Sequence, residues 1–296
     1  MNTQSASLLI NFHSRRSRQA YGELEQACLD LGIELDKVYE LKKNVDFGRT
    51  IASIKRAKPK LLIVAGGDGT VSKTLSLMAG SPIEIGIVPL GTTNNFARSL
   101  DLPLTVSEAV KVIASSAAQP VDLGVVGRHY FTNVAGIGMS ALVAKGVSDQ
   151  QKRRYGRLAY AIVGLKHLIK HKPFFVTVTD KDKELELHFE THQIIVANGR
   201  YHAGRKIAEG ASVDSQQLIV FAIGGRSRWS FMTRMLDFYV GNRKSVRHAS
   251  YLIARDIAIE TSSRTPSEVD GEIYESTPLK FKIAADAIKI RYGGVR

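Results

Sequence analysis

Gly66-Gly67-Asp68-Gly69-Thr70 is the stretch whose residue types and spacing point most directly to chemistry. It follows an apolar run of strand length at 61–65 and precedes a helix-like pattern carried by Val71, Leu75 and Met78. A strand that stops at glycines and restarts as a helix presents backbone N–H groups at a positive helix end, which suits phosphate. The glycines allow close approach because no Cβ intervenes. Asp68 adds a carboxylate to this anion site, which makes chemical sense if a divalent cation lies between it and phosphate oxygens. An ordinary strand-to-helix turn would need a single glycine. A second glycine turn, Leu90-Gly91-Thr92-Thr93-Asn94-Asn95, follows another apolar run at 85–89. Two phosphate-type turns at neighbouring strand ends are a stronger signal than either alone.

Val269-Asp270-Gly271-Glu272 places two carboxylates around a glycine, next to strand-like sequence. Alone it reads equally well as a turn between strands. Beside a phosphate site it reads as a base that activates a hydroxyl. Phosphoryl transfer needs positioning, charge neutralisation and an oriented nucleophile more than covalent help. Gly136-Ile137-Gly138-Met139-Ser140-Ala141 fits a loose dinucleotide pattern, but no acidic residue follows about 20 positions on at a strand end. It reads as a tight strand-to-helix turn. His167 with His171, and His188 with His192, lack an obvious third ligand and read as surface or interface histidines. No nucleophile elbow or Cys-His arrangement supports a hydrolase.

These residues require elements that position them. Strands are expected at 7–12, 33–38, 61–65 and 85–89, alternating with helices that run to residue 31, over 47–57, after residue 70 and over 106–117. That alternation predicts an open parallel sheet with helices on both faces and ligands beyond the carboxyl ends of its strands. After Pro120 the pattern changes. Strand-like runs are expected at 121–126, 129–135, 174–179, 185–190, 192–197, 218–223, 250–254, 257–260, 279–284 and 287–292. A short helix within 136–147 and helices at 156–169 and 227–240 interrupt them. Short alternating strands with tight turns predict an antiparallel sandwich or barrel. The expected fold class is therefore α/β plus β. Residues 1–122 would form a Rossmann-like domain and 123–296 a β-rich domain whose last residues could return to the first, with the site in the cleft between them.

With 296 residues, 44% hydrophobic and 23% charged, the chain has an ordinary globular composition and room for two domains. Its formal charge of +13 implies acidic partners: nucleic acid, an anionic lipid surface or a phosphorylated substrate. No recognisable nucleic-acid module is present, so nucleic acid is not an expected partner. Arg15, Arg16 and Arg18 stand where a signal peptide would place its cleavage site, and no stretch reaches the roughly 20 apolar residues of a membrane span. A cytoplasmic protein is expected. Cys28, the single cysteine, lies in a helical pattern with Leu24 and Leu31, reads as core, and cannot form an internal disulfide.

At these residues the chain resembles the diacylglycerol kinase catalytic-domain family, particularly its bacterial soluble lipid kinases. The resemblance covers nearly the whole length. It rests on GGDGT at 66–70, PLGTTNNFAR at 89–98, FTNVAGIG at 131–138, GRLAY at 156–160, Asn198-Gly199-Arg200 and Asp270-Gly271-Glu272. GGDGT alone is shared with NAD kinases and phosphofructokinases; its combination with GTTNNFAR and a late DGE is strongly specific. The resemblance implies a nucleotide-binding domain like that of NAD kinases and phosphofructokinases, a β-sandwich-like acceptor domain, and ATP with Mg²⁺ in the cleft. The implied substrate is a membrane lipid hydroxyl, as in diacylglycerol, phosphatidylglycerol or sphingoid bases. Gly66, Gly67, Asp68, Gly69 and Thr70 with Val71, Ser72 and Lys73 would wrap the phosphates. Gly91, Thr92, Asn94 and Asn95 would bind nucleotide from the second turn, with Asn11 and Arg15 contributing from the end of the first strand. Asp68 would hold the metal, Asp214 and Ser215 an accessory one. Asp270 and Glu272 would be the acid/base pair, with Glu272 the proton acceptor. Peripheral access to an anionic membrane would come from the basic surface, and edge strands could pair in a homodimer.

The sequence also departs from the family pattern. Asn11-Phe12-His13-Ser14-Arg15 replaces an Asn-Pro-x-x-Gly turn, Lys73 replaces a Glu, Asn95 an Asp, and Ser215-Gln216 an Asp-Gly, with Asp214 displaced by one. These departures make the phosphate site more positive. They motivate an alternative, a catalytically weakened member that binds nucleotide or anionic lipid. An NAD-kinase-like kinase for a small acceptor ranks below both, since such enzymes carry a different motif in place of GTTNNFAR.

Overall fold

The computed structural model describes residues 4–12, 15–42, 45–147, 157–202, 205–206, 212–224, 227–240 and 250–293. The apolar runs of the first part become β1 (Gln4–Asn11), β2 (Ile33–Leu41), β3 (Leu61–Gly66) and β4 (Glu84–Pro89), joined in parallel in the order β2-β1-β3-β4. Between them run α1 (Arg15–Asp30), α2 (Phe47–Ala57) and α3 (Asp68–Met78); α4 (Asn95–Ser99) and α5 (Val106–Ser115) follow. β3 and β4 are apolar on both sides because both sheet faces are covered there, whereas β2, at the edge, carries Glu34, Asp36, Lys37 and Glu40. Leu8, Ile10, Leu61 and Ile63 pack with Leu24, Cys28, Val110 and Ile113 on one face. Leu9, Leu62 and Val64 pack with Ile51, Ile54 and Leu75 on the other. Cys28 is a buried free thiol, as its helical spacing predicts.

The second part supplies β5 (Ala118–Val126), β6 (His129–Phe131), β7 (Val134–Gly138), α6 (Met139–Gly146), α7 (Arg157–Lys170), β8 (Phe174–Asp180), β9 (Leu185–Thr191) and β10 (Gln193–Ala197). It continues through β11 (Tyr201–His202), β12 (Arg205–Lys206), β13 (Leu218–Ile223), α8 (Arg228–Val240), β14 (Ser250–Ala254), β15 (Asp256–Thr261), β16 (Ser267–Val269), β17 (Glu272–Tyr274) and β18 (Leu279–Arg291). One six-stranded sheet has the order β14-β13-β10-β7-β16-β17. It packs on the β18-β15-β8 part of the other sheet through Ile137, Ile194, Val196 and Val220 on one side and Val176, Ile257, Ile259 and Phe281 on the other. The molecule is therefore an α/β domain joined to a β-sandwich-like domain.

Several strands run a few residues beyond their expected limits, and two change in kind. The expected strand over 129–135 is split at Thr132 and Asn133, whose amides turn to a side-chain acceptor, Asp270, instead of a ladder. The two expected strands at 279–284 and 287–292 are one strand, β18, with a register shift between Ala284 and Ile288. There Asp286 adopts φ 52° and its N–H donates to Asp122 Oδ1 at 2.9 Å. The bulge re-aims the strand without ending it. Its first half pairs antiparallel with β15 and its end pairs parallel with β4, so one ten-stranded sheet runs through both parts.

Among the histidines, His192 departs from the expected surface position and His188 keeps it. His192 is buried and stacks on Phe231, their ring centroids 4.6 Å apart, and His171 Nε2 lies 3.2 Å from the His192 carbonyl oxygen. His188 is exposed. Among the described residues no helix is long and apolar enough to cross a membrane.

Candidate active site

The two glycine turns meet backbone to backbone. A Cβ on Gly91 would stand 2.6 Å from the Gly67 Cα, and one on Gly67 would stand 3.1 Å from the Gly91 Cα. Gly66 is closed in by Thr70, whose Cβ would lie 2.7 Å from a side chain there. Gly69 differs: it is exposed, with nothing within 4 Å of the position its Cβ would take. Gly67 caps α3, and the amides of Thr70 and Val71 return to its carbonyl oxygen at 3.0 Å each. The N–H groups of Asp68 and Gly69 are therefore the helix-end donors left over, with the α3 dipole behind them. This cradle fits a phosphate group.

Asp68 ties the turns together. Its Oδ2 accepts from the Thr93 hydroxyl at 2.6 Å, and its Oδ1 from the amides of Asn95 at 2.5 Å and Phe96 at 3.4 Å. It thus caps α4 from a distant turn, and a metal would find only its remaining lone-pair positions. Asn94 is buried in the left-handed conformation, φ 48°, and its amide group bridges Gly91, accepting from the Gly91 N–H at 2.9 Å and donating to the Gly91 carbonyl at 3.0 Å. Its side chain thus shapes the turn. Thr92 is the exposed side chain there. Asn11, at the end of β1, donates to the Thr70 hydroxyl at 2.8 Å and so stands beside the glycine turn. The side chain of Arg15 lies outside the described residues.

Two residues expected on the phosphates are placed elsewhere. The Val71 side chain is buried in the core. Lys73 faces outward on α3, with its ammonium 4.9 Å from the ring centre of Phe47. Helical spacing explains both, because the inner face of α3 carries Val71, Ser72, Thr74 and Leu75 and leaves Lys73 toward α2.

Ser72 makes the contact that completes the site. Its hydroxyl donates to Asp270 Oδ2 across the two domains. Asp270 also accepts from the Thr132 amide at 2.7 Å, the Thr132 hydroxyl at 2.9 Å, the Asn133 amide at 2.9 Å and the Val134 amide at 3.1 Å. Asp270 and Gly271 have φ 48° and 88° and form the two-residue turn between β16 and β17, as a hairpin demands. The motif is both a strand turn and part of the site. Asp270 accepts from five donors here and anchors the turn. Glu272 begins β17, exposed and unpaired among the described residues. Thr132 and Asn133 were given no role from the sequence; two polar residues interrupting an apolar run were the available signal.

Asp214 and Ser215 belong to a separate neighbourhood. Asp214 accepts from Ser212, and Ser215 donates to the Ser212 carbonyl at 2.8 Å. The same loop is pinned to Asp122, whose Oδ2 accepts from the Gln216 amide at 2.6 Å. Burial pushes the Asp122 carboxyl up, the Asp286 and Gln216 amides oppose the rise, and the charges of Asp286 and Asp214 add to it. Among the described residues no group of three or more His, Cys, Asp or Glu could hold a metal ion. Beside Asp68 a magnesium ion would fit only as one brought largely by phosphate oxygens.

Residues 5–126 match the diacylglycerol kinase catalytic domain, and 133–292 match the YegS C-terminal NAD kinase beta sandwich-like domain. A protein of Xanthomonas euvesicatoria pv. vesicatoria named "Probable lipid kinase YegS-like" is 32% identical over 288 residues, covering 93% of this chain and 90% of its own length. A protein of Bacillus subtilis named diacylglycerol kinase is 26% identical over 226 residues, covering 75% of this chain and 74% of its own. A crystal structure of a diacylglycerol kinase from Bacillus anthracis str. Sterne shares the fold, with a TM-score of 0.76 at 22% identity over 98% of this chain and 97% of that one.

Proposed function

The chain belongs to the diacylglycerol kinase catalytic-domain family and is a lipid kinase, a phosphotransferase; from that premise we propose that it transfers the γ-phosphate of ATP, with Mg²⁺, to a hydroxyl of a membrane lipid of the diacylglycerol, phosphatidylglycerol or sphingoid type, with Glu272 as the base. The observation that carries this reading is the hydrogen bond from Ser72 to Asp270. It fastens the hairpin bearing Glu272 to the helix whose N-terminus suits phosphate.

In this reading Glu272 takes the proton of the lipid hydroxyl as its oxygen becomes the nucleophile. The amides of Asp68 and Gly69 bind phosphate oxygens, and Thr92 meets the nucleotide from the second turn. Asp68 keeps the two turns in contact and offers the nearby carboxylate. ATP would supply the phosphoryl group and leave as ADP, and Mg²⁺ would neutralise the charge on the phosphates. The net charge of +13 favours arrival at an anionic bilayer.

The test is transfer of labelled γ-phosphate from ATP to a total membrane-lipid extract with Mg²⁺. A labelled lipid is expected, and its mass names the acceptor; no labelled lipid across a broad panel contradicts the reading. Lys73 over Phe47, and Asp68 already accepting from the second turn, favour a second reading: a weakened member that binds nucleotide without transfer. A nucleotide-dependent rise in Tm without turnover would select it.

A further inference from the structure

We propose that Glu268 is a positioning residue of the phosphoryl-transfer site, holding the Asp270-Gly271 turn so that Glu272 is presented to the cleft. This rests on the kinase reading above. Glu268 lies on β16 and is 3% exposed. Its Oε2 accepts the Gly271 N–H at 2.8 Å. Its other oxygen occupies space left by Gly136 on the neighbouring β7. A Cβ on Gly136 would stand 2.5 Å from Glu268 Oε1, 2.1 Å from Ser140 Oγ and 3.2 Å from Gln193 Nε2.

Ser140 is itself held. Gln193 accepts from its amide at 2.7 Å and donates to its hydroxyl at 2.9 Å and to the Ile194 carbonyl at 2.8 Å. The carboxylate of Glu268 therefore joins the hairpin to a frame built from β7, β10 and the first turn of α6. Asp270 pins the turn from the side of α3, and Glu268 pins the next peptide from the core side. Glu272 follows immediately, so its direction is set by a turn held at both ends. Burial drives the Glu268 carboxyl up to about 7; the Gly271 and Ser140 hydrogen bonds oppose the rise and the charge of Asp270 adds to it. The contact with Gly271 survives either protonation state, since it needs only an acceptor oxygen.

The test compares the full-length wild type, Glu268→Ala and Glu268→Gln by hydrogen–deuterium exchange over residues 267–274 and by kcat and KM for ATP in the lipid-transfer assay. In Glu268→Ala the segment should exchange faster. Its kcat should fall about ten- to a hundredfold while KM for ATP stays within about twofold, the split expected when only aim is lost. Glu268→Gln keeps an acceptor oxygen and should restore both readouts. Unchanged exchange or unchanged kcat in Glu268→Ala overturns the proposal, as does a Glu268→Gln that restores neither. If Glu268→Ala does not fold, Ser140→Ala carries the test, with faster exchange and a kcat loss of about three- to tenfold expected; wild-type behaviour there overturns it. If the wild type transfers no phosphate, the kinase reading fails on its own, and the exchange arm still decides whether Glu268 holds the turn.

Discussion

Asp270 collects five hydrogen bonds from four residues, three of them from consecutive backbone amides, whereas Glu272 two positions on is exposed. Removing the first strands donors that have no other way to be satisfied; removing the second leaves water to replace it. Asp270→Ala should therefore lose about 2–4 kcal/mol of stability, since it leaves several partly buried groups unpaired. Glu272→Ala should stay within about 0.5 kcal/mol, as exposed substitutions do. Urea denaturation of the two variants checks this, and equal losses would contradict the division of roles. The sequence marked both carboxylates, and the family resemblance made Glu272 the proton acceptor, but nothing local to the motif showed Asp270 as an anchor. Their difference depends on Thr132, Asn133 and Ser72, which are distant in the chain.

At the scale of elements, the glycine turns carry the most legible chemistry, and their mutual contact was the illegible part. Gly91→Ala places a Cβ against the Gly67 backbone, where neither atom can yield. The turns must part, so the Tm increment given by ATP with Mg²⁺ should shrink severalfold or vanish relative to wild type. Gly22→Ala, on α1 and away from both turns, meets nothing within 4 Å and serves as the fold control. An undiminished increment in Gly91→Ala would contradict a cradle built from both turns. Strand and helix limits read well wherever local pattern decides, as at α2, whose observed bounds Phe47–Ala57 equal the expected ones. They failed where a remote side chain intervenes: Asp270 splits β6 from β7, and Asp122 reaches the bulge that keeps β18 one strand. A local reading has no access to either partner.

For the whole molecule, β18 and the Ser72–Asp270 contact link the two domains, which is what a site between them needs. Stability against pH is also a global property, and two groups oppose each other in it. Burial raises Glu268 from an ordinary 4.5 to about 7, and burial together with the charge of His192 lowers His171 from 6.5 to about 4. Between pH 4.5 and 6.5 the folded chain keeps a proton on Glu268 that the unfolded chain has released, so this group lowers stability as pH rises. In that window the unfolded chain holds a proton on His171 that the folded chain has lost, so this group raises stability with pH. The two slopes offset. Glu268→Gln should leave the histidine's slope exposed. Its denaturation free energy, measured from pH 4.5 to 6.5, should climb more steeply than the wild type's, by on the order of 3 kcal/mol across the full Glu268 shift. Parallel curves would contradict the burial argument.

The most direct test of the account is the rate of lipid phosphorylation by Glu272→Ala beside wild type at saturating ATP and Mg²⁺, with the ATP-induced Tm increment measured on the same samples. The rate should fall about 10²–10⁴-fold, the usual worth of a general base, with the Tm increment retained. A rate within a few-fold of wild type would contradict it and move the base elsewhere in the cleft.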